Sequence, residues 1–191
     1  MRIACGGILL ALVSCAAATA QDQQYQTPAD AGYSNAALAF RYLPPSEMRE
    51  VTESAKADIR ARAAASHSGN SLGMLLAMWS GPDQEALSWR ALTIETYPRK
   101  AFSDLDDTAA EAKLSAWVMG FSEAPALPKP VMLSGKSFTV SVFEKEEGGM
   151  KKAAVVWTTI RGGKLVAFAF RANSPEQLKA IAESMKSLRF F

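Results

Sequence analysis

The sequence predicts an α+β fold, in which one antiparallel sheet of about six strands is packed by about three helices as an α/β/α sandwich. Segments that alternate apolar and polar residues follow one another across short turns, so neighbouring segments are expected to pair as antiparallel strands. Segments with helical spacing are set apart from these hairpins, which is typical of α+β proteins. Residues 165–170 are apolar on both sides of a strand, which favours helices on both faces of the sheet.

The predicted domain opens with a strand and a helix. Apolar and polar residues alternate along residues 33–43, and Pro44-Pro45 ends this first strand. Ser46 is the predicted cap of the helix that follows. The apolar residues on one side of that helix recur at helical spacing, at Met48, Val51, Ala55 and Ile59.

A hairpin and a second helix occupy the middle of the chain. Residues 74–79 predict a buried strand, residues 80–83 a turn, and residues 87–97 the partner strand. The next helix is predicted to begin at Ser103. Its first turns carry the densest acidic group of the sequence, which is Asp104, Asp106, Asp107 and Glu111.

The last third of the chain predicts a three-stranded meander and a final helix. The proline-rich residues 125–130 form a stiff connection, and strands follow near residues 138–142, 153–160 and 165–170. Ser174-Pro175-Glu176-Gln177 is a capping box with proline at the first helical position. The apolar stripe of the final helix is Leu178, Ile181, Met185 and Leu188.

Three parts of this layout are shared with a known family. They are residues 33–44, where a strand leads into a proline, the central hairpin with its helix, and the closing meander and helix that end in residues 187–191. Together they resemble the PsbP/Mog1-like fold group, which includes small exported bacterial proteins. The resemblance covers most of residues 33–191. It implies an accessory or binding role, and it supplies neither a shared catalytic mechanism nor site residues.

The first 20 residues predict a secretory signal peptide. Arg2 supplies the positive start, residues 8–13 are apolar, and Ala18-Thr19-Ala20 precedes Gln21 as an A-x-A cleavage site. A transmembrane anchor needs about 20 apolar residues, which this segment does not supply. We therefore expect cleavage after Ala20, a flexible leader over residues 21–32, and one α+β domain over residues 33–191.

A second processing site overlaps the first. Leu12-Val13-Ser14-Cys15 is similar to a bacterial lipobox, in which the cysteine is lipidated and becomes the mature N-terminus. Cleavage after Ala20 releases the protein, whereas lipidation of Cys15 holds it to a membrane. The segment therefore predicts an exported protein that is periplasmic or secreted, with a membrane-anchored lipoprotein as the alternative.

The net charge of the chain limits the classes of partner that it is expected to bind. The 191 residues include 21 Lys and Arg against 19 Asp and Glu, and removal of Arg2 with the signal leaves 20 against 19. This balance excludes the strongly basic surface of nucleic-acid-binding proteins. Lys151-Lys152, the nearest approach to a basic cluster, predicts a solvated turn. The expected partner is an unidentified protein or small molecule, with no nucleic acid, and with a membrane only if Cys15 is lipidated.

Few residues offer catalytic chemistry. Cys5 and Cys15 both lie in the signal, so the domain carries no thiol nucleophile and no Cys-based metal site. His67 is the single histidine, and it lies in a predicted surface loop of a chain without a Gly-x-Ser-x-Gly motif. Gly135-Lys136-Ser137 lacks the first glycine of a P-loop, because Pro130 stands in that position. No catalytic residue, metal site or cofactor is therefore predicted.

Two groups of side chains admit more than one interpretation, and a third predicts a solvated surface. The acidic residues 104–111 fit a helix N-terminus better than a calcium site, because carboxylates there gain from the helix dipole. Trp79 and Trp89 flank the first hairpin, and they either pack in the core or line a ligand pocket or partner surface. Residues 144–147, with Glu144, Glu146 and Glu147, predict a solvated hairpin end.

The functional hypothesis is an exported, non-enzymatic protein of the bacterial cell envelope that binds a ligand or partner or assists assembly. The alternatives are a secreted hydrolase whose site the sequence does not reveal, and a purely structural surface protein. An aromatic patch lined by few ionisable groups favours binding. A cleft that holds close carboxylates with raised pKa values favours the hydrolase.

Overall fold

A computed structural model describes residues 32–57, 73–119, 128–147 and 149–191. The predicted signal with its processing residues Cys15, Ala18, Ala20 and Gln21, the leader to residue 31, and the loop with His67 lie outside the described residues. Within the described ranges no helix has both the length and the apolar character needed to span a membrane.

The described residues form ten antiparallel strands in two sheets. The strands are β1 (Tyr33–Asn35), β2 (Phe40–Tyr42), β3 (Arg49–Glu50), β4 (Gly73–Ser80), β5 (Arg90–Pro98), β6 (Lys129–Leu133), β7 (Lys136–Glu147), β8 (Met150–Arg161), β9 (Lys164–Ala172) and β10 (Arg189–Phe190). The large sheet has the order β3-β4-β5-β9-β8-β7-β6, and the small sheet has the order β1-β2-β10. The predicted α+β class and the antiparallel pairing are confirmed.

The predicted single sheet of about six strands is two sheets in the described residues, because residues 33–43 pair with β10 in the small sheet. The large sheet holds the other five predicted strands and two additional edge strands, β3 and β6. The edge strand β6 begins in the proline-rich segment, so the stiff connection predicted there is wrong for residues 129 and 130. Pro130 is tolerated because β6 is an edge strand that pairs only with β7. The other edge strand, β3, has two residues, which is too short to show any periodicity.

The first predicted strand is two strands joined by a tight turn. Residues 36–38 form a 3₁₀ turn, and β2 folds back on β1. The side chain of Asn35 accepts a hydrogen bond from the backbone N–H of Leu38 (3.0 Å), and Ala39 then adopts a left-handed φ of 51°. The alternation of apolar residues continues across this turn, so the pattern alone could not reveal it.

The helix predicted from Ser46 begins later, because its first residues belong to a sheet. Arg49 and Glu50 pair with Trp79 and Met78 of β4. The backbone N–H of Val51 then donates to the carbonyl oxygen of Ala77 (2.8 Å), and residues 52–57 are helical. Pairing with β4 has overridden the helical pattern of this segment. The remainder of the predicted helix, with Ile59, lies outside the described residues.

Two further helices lie between and after the strands. The middle helix (Asp107–Met119) begins four residues later than predicted, since a 3₁₀ turn occupies residues 99–102. The C-terminal helix (Pro175–Ala182) begins as predicted, with the backbone N–H of Gln177 donating to Ser174 Oγ (3.2 Å). It continues as a 3₁₀ helix over residues 183–187, so the predicted α-helix is shorter than its apolar stripe.

The two faces of the large sheet carry separate cores. Phe168 and Phe170 of β9 face the C-terminal helix and the small sheet, where they pack with Ile181 and Met185. The residues of β9 that face the other way pack against the middle helix; they are Leu165, Ala167 and Ala169. All of these side chains are buried. The expectation that helices cover both faces is confirmed.

Candidate functional site

A cavity of about 380 Å³ lies at one end of the large sheet, beside the end of the middle helix. Its lining comes from β7, β8, β9, the helix end, and the turn between β4 and β5. The lining residues are Gln84, Glu85, Trp89, Met119, Phe143, Glu144, Lys145, Lys152, Ala153, Ala154, Arg171, Ala172 and Asn173. A volume of this order is that of a site for a drug-sized ligand, roughly 300–1,000 Å³.

The register of the sheet explains why these side chains meet. Phe143 opposes Ala154, and Ala154 opposes Arg171, so one row crosses β7, β8 and β9 on the face of the middle helix. The next pair on that same face lies closer to the β7–β8 turn, and in it Lys145 opposes Lys152. The cavity therefore has an inner row of Phe143, Ala154 and Arg171 beneath the helix end, and an outer row with Lys145 and Lys152.

Asn173 holds the turn between β4 and β5 against the sheet. It is 2% exposed, and its Nδ2 donates to the carbonyl oxygens of Gln84 (2.7 Å) and Ala86 (2.9 Å). Its backbone N–H donates to the carbonyl oxygen of Trp89 (3.3 Å). This buried amide fixes residues 84–89 as a wall of the cavity. No sequence motif marks Asn173, because the side chain's partners are backbone groups 87 and 89 positions away.

The two tryptophans of the first hairpin have different environments. Trp89 lines the cavity, and its buried Nε1–H has no hydrogen-bond partner within the described part of the chain. Trp79 lies on β4 with the guanidinium of Arg49 5.0 Å from its ring centroid. The Nε1–H groups of Trp79 and Trp157 also have no described partner, but of these three residues only Trp89 lines the cavity. For Trp89 the pocket interpretation is the one that fits.

The charged residues of the cavity lining are three cations and two carboxylates: Lys145, Lys152, Arg171, Glu85 and Glu144. Lys145, Lys152 and Arg171 lie on the cavity face of the sheet, whereas Glu144 alternates with them along β7 and projects from the opposite face. Glu85 is an exposed residue of the turn. Lys152 is half-buried and Lys151 is exposed, so the predicted solvated turn at this pair is wrong: both residues belong to β8, and one of them lines the cavity.

Arg171 is fixed by hydrogen bonds at the inner end of the site. Its Nη2 donates to the carbonyl oxygen of Val118 (2.8 Å), and its Nη1 donates to Thr93 Oγ1 (3.3 Å). A cation at this position satisfies a carbonyl group that the helix itself leaves without a partner, and it also complements the helix dipole. Arg171 therefore joins the middle helix to the sheet at the point where the cavity begins.

The acidic residues 104–111 form a helix start. Asp106 accepts from the backbone N–H of Ala109 (2.8 Å), and Asp107 accepts from Arg99 Nε (2.9 Å). Glu111 accepts from Thr139 Oγ1. Across the described ranges, no group of three His, Cys, Asp or Glu side chains could hold a metal ion. These contacts fit the helix-terminus interpretation, although the helix begins at Asp107 and Asp104 precedes it.

Gly135-Lys136-Ser137 is the turn into a strand, whereas a P-loop leads into a helix. Ser134 and Gly135 adopt positive φ values of 49° and 72°, and Lys136 begins β7. Ser134 Oγ donates to the carbonyl oxygen of Leu188 (2.6 Å), which ties this turn to the end of the domain. Glu144 and Glu146 lie in β7 near its turn to β8 and are exposed, as a solvated hairpin end requires.

The partly buried carboxyl of Glu111 gives a pH-dependent prediction. Burial raises its pKa above the ordinary value of 4.5, and the hydrogen bond from Thr139 opposes the shift. The folded state thus binds this proton more tightly than the unfolded state. The stabilisation that this tighter proton binding gives the folded state is complete below pH 4.5, and it is lost as the pH rises through the pKa of Glu111 in the folded state. Glu111→Gln keeps an acceptor for Thr139, and it is expected to be more stable than the wild type at pH 7.

Urea unfolding at pH 7 and pH 4 measures this effect. The stability difference between Glu111→Gln and the wild type should shrink at pH 4, where the wild-type carboxyl is protonated. The matched control is Glu146→Gln, which alters an exposed glutamate in β7. A Glu111→Gln variant that is less stable than the wild type at pH 7 would contradict the assignment.

A second cavity, of about 140 Å³, lies between the segments around β1 and β3 and the large sheet. Its lining includes Tyr33, Met48, Leu76 and Met78. This volume is below the roughly 300 Å³ of a typical ligand pocket. The cavity beside the middle helix is therefore the candidate site.

Comparisons with known proteins give structural similarities alone. No family model matches the chain, and no curated protein matches it by sequence. A Bacteroides thetaiotaomicron protein of known structure has a TM-score of 0.42 and 11% identity, over 80% of this chain and 45% of its own. LpqN of Mycobacterium tuberculosis, described as involved in cell envelope biogenesis, has a TM-score of 0.41 and 10% identity, over 78% of this chain and 82% of its own.

These similarities carry no argument about function, since shared layout does not transfer a site. The chain spans less than half the length of the Bacteroides protein. The resemblance to the PsbP/Mog1-like group stays a prediction.

Proposed function

We propose that this is an exported, non-enzymatic binding protein of the bacterial cell envelope, and that its cavity beside the middle helix holds one small organic ligand. The observation that carries the proposal is the cavity of about 380 Å³, with Trp89, Phe143 and Met119 among its lining residues. Aromatic and apolar walls with a few polar groups are typical of ligand sites. The PsbP/Mog1-like resemblance and the signal-like residues 1–20 agree with this role.

The rigidity of the walls supports binding. Phe143 and Ala154 are buried residues of central strands, and Asn173 holds the opposite wall through two side-chain hydrogen bonds. A site built on paired strands loses little freedom when a ligand enters, which favours affinity.

The charged groups of the cavity suit binding better than hydrolysis. A hydrolase of the kind considered above needs two carboxylates, or a nucleophile and its base, within reach of one bond. Glu144 alternates along β7 with the residues that face the middle helix, and Glu85 lies on the turn between β4 and β5, so the lining does not place these two carboxylates on one face of the sheet. The carboxyl with a raised pKa, Glu111, does not line the cavity.

Titration with the neutral fluorophore N-phenyl-1-naphthylamine tests this proposal. The full chain is expressed with its own N-terminal segment in a bacterial host, and intact mass distinguishes a start at Gln21 from an acylated Cys15. The dye is expected to bind one site with an increase in fluorescence. Trp89→Ala should weaken binding about tenfold or more, since it removes an apolar wall.

Trp79→Ala is the matched control, because Trp79 lies on the same hairpin and outside the cavity lining. It should leave the affinity unchanged. Thermal melts establish that both variants fold. An absence of saturable binding, or equal losses in the two variants, would overturn the binding function. If the only species recovered is the precursor with its N-terminal segment intact, the proposal that the protein is exported is wrong.

A further inference from the structure

We infer that the cavity beside the middle helix takes an uncharged carbonyl compound, whose oxygen accepts a hydrogen bond from the Nε1–H of Trp89 and whose aromatic or apolar body lies beneath the helix end. This inference rests on the proposed function and names its ligand class. Three features of the cavity carry it, which are the partners that its cations already have, a buried donor without a partner, and an apolar floor.

The charged residues of the lining favour neither an anion nor a cation. Lys145, Lys152 and Arg171 each have an interaction partner within the protein, and Glu85 and Glu144 place two carboxylates in the same lining. An anionic ligand has to compete with those partners and approach the carboxylates, and a cationic ligand meets the three cations. A buried charge without a partner of its own is costly. An uncharged ligand avoids these costs.

Trp89 supplies the hydrogen-bond donor. Its Nε1–H is buried and has no partner in the described ranges, and Trp89 is a residue of the cavity lining. A buried donor that stays unsatisfied lowers stability, and an acceptor that reaches it removes this cost. A carbonyl oxygen is such an acceptor and carries no charge.

The backbone of Trp89 is held in place on both sides. Its N–H donates to the carbonyl oxygen of Ala86 (2.9 Å), and its carbonyl oxygen accepts from the backbone N–H of Asn173 (3.3 Å). Gly81 packs closely against the same residue, because a Cβ atom at Gly81 would lie 2.8 Å from Trp89 Cα. A donor on a backbone that is already fixed loses little freedom when it binds, which favours selectivity for the acceptor.

The inner row of the cavity suits the body of such a ligand. Phe143 and Ala154 oppose each other across β7 and β8 and form an apolar floor, and Met119 lies at the end of the middle helix. An aromatic or apolar body gains by leaving water for this surface. The ligand class is therefore an uncharged ketone, ester or amide with an aromatic or apolar body.

Two uncharged ligands of nearly the same shape test the role of the donor. In 2-acetylnaphthalene a carbonyl group replaces one methylene group of 2-ethylnaphthalene. Their affinities are measured by displacement of N-phenyl-1-naphthylamine. Trp89→Phe keeps an aromatic ring in the wall and removes the N–H. It should weaken 2-acetylnaphthalene about fivefold or more and leave 2-ethylnaphthalene within about twofold.

Trp79→Phe is the matched control. It removes an Nε1–H that is also buried without a described partner, but Trp79 lies outside the cavity lining. It should change neither affinity. Thermal melts establish that both variants fold.

A measurement on the wild type alone tests the same hydrogen bond. The infrared stretching frequency of a carbonyl group falls when the oxygen accepts a hydrogen bond. With a ¹³C-labelled carbonyl, bound 2-acetylnaphthalene should show a lower frequency than in an apolar solvent. A bound frequency equal to that in the apolar solvent would overturn the inference, whether or not Trp89→Phe folds.

The charge of the ligand is tested with 2-naphthoate, which carries a carboxylate in place of the acetyl group. We expect it to bind the wild type about tenfold more weakly than 2-acetylnaphthalene, since the lining offers it no cation without a partner. Tighter binding of 2-naphthoate would show that the ligand class is anionic and would overturn the inference.

The outcomes separate this inference from the proposed function. If N-phenyl-1-naphthylamine binds and Trp89→Ala weakens it, but Trp89→Phe affects the two naphthalenes equally, the carbonyl assignment is wrong and the binding function stands. Equal effects of Trp89→Phe and Trp79→Phe would also overturn the assignment. If neither the dye nor the naphthalenes bind, both proposals fail.

Discussion

Replacing Ile181 with aspartate is expected to unfold the domain. Ile181 is 1% exposed and packs from the C-terminal helix into the core that contains Phe168 and Phe170. An unpaired carboxylate at this position costs several kcal/mol, against a total stability of about 5–15 kcal/mol for a typical domain. Circular dichroism should show loss of the cooperative thermal transition.

Ala180→Asp is the matched control for this change. It places the same aspartate one residue earlier in the same helix, where the side chain is exposed. Leu178→Asp should have an intermediate effect, because Leu178 is only half-buried. A cooperative transition in Ile181→Asp at the wild-type temperature would mean that the C-terminal helix does not cover the sheet.

Phe168→Ala is expected to lower the free energy of unfolding by about 3–5 kcal/mol. The ring of Phe168 is fully buried at the centre of β9. It meets Phe40 and Tyr42 of the small sheet at centroid distances of 5.4 and 6.1 Å, and Phe138 of β7 at 6.3 Å. Its removal leaves a cavity where the two sheets meet. Urea unfolding measures the loss as a lower midpoint.

Phe191→Ala removes the same side chain from a position that is 70% exposed. Its effect should stay within about 0.5 kcal/mol. Equal shifts of the two midpoints would show that Phe168 is not at the centre of the core. A large shift confined to Phe168→Ala would confirm that one side chain joins both sheets.

The strands and helices that form local patterns could be predicted from the sequence. Both sides of β9 are apolar over several residues, so a core on each face follows from the two-residue period of a strand. The capping box at Ser174 also specifies its helix start locally. In contrast, β3 and β10 have two residues each, and their pairing partners lie elsewhere in the chain. Strands of two residues are too short to show the alternation from which a strand is predicted.

The candidate site could be predicted only in part, because its residues are brought together by pairing. Trp89 has a pocket interpretation from the sequence, since an aromatic residue beside a turn admits one. Lys145 and Lys152 become neighbours only when the register of β7 and β8 is known. Asn173 acts on backbone atoms of a distant turn. Side chains whose role depends on register carry no local signature.

The small sheet also governs the order in which this protein can fold. Tyr42 Oη and Ser184 Oγ form a hydrogen bond (2.5 Å) across a separation of 142 residues, and β10 pairs with β2 beside it. Contacts of such long range form slowly, because a large loop must close first. The first two strands therefore have no sheet partner from the far end until residues 184–190 have been synthesised. Pairing of β2 with β10 thus joins the two ends of the described domain, and the small sheet is complete only when both ends are present.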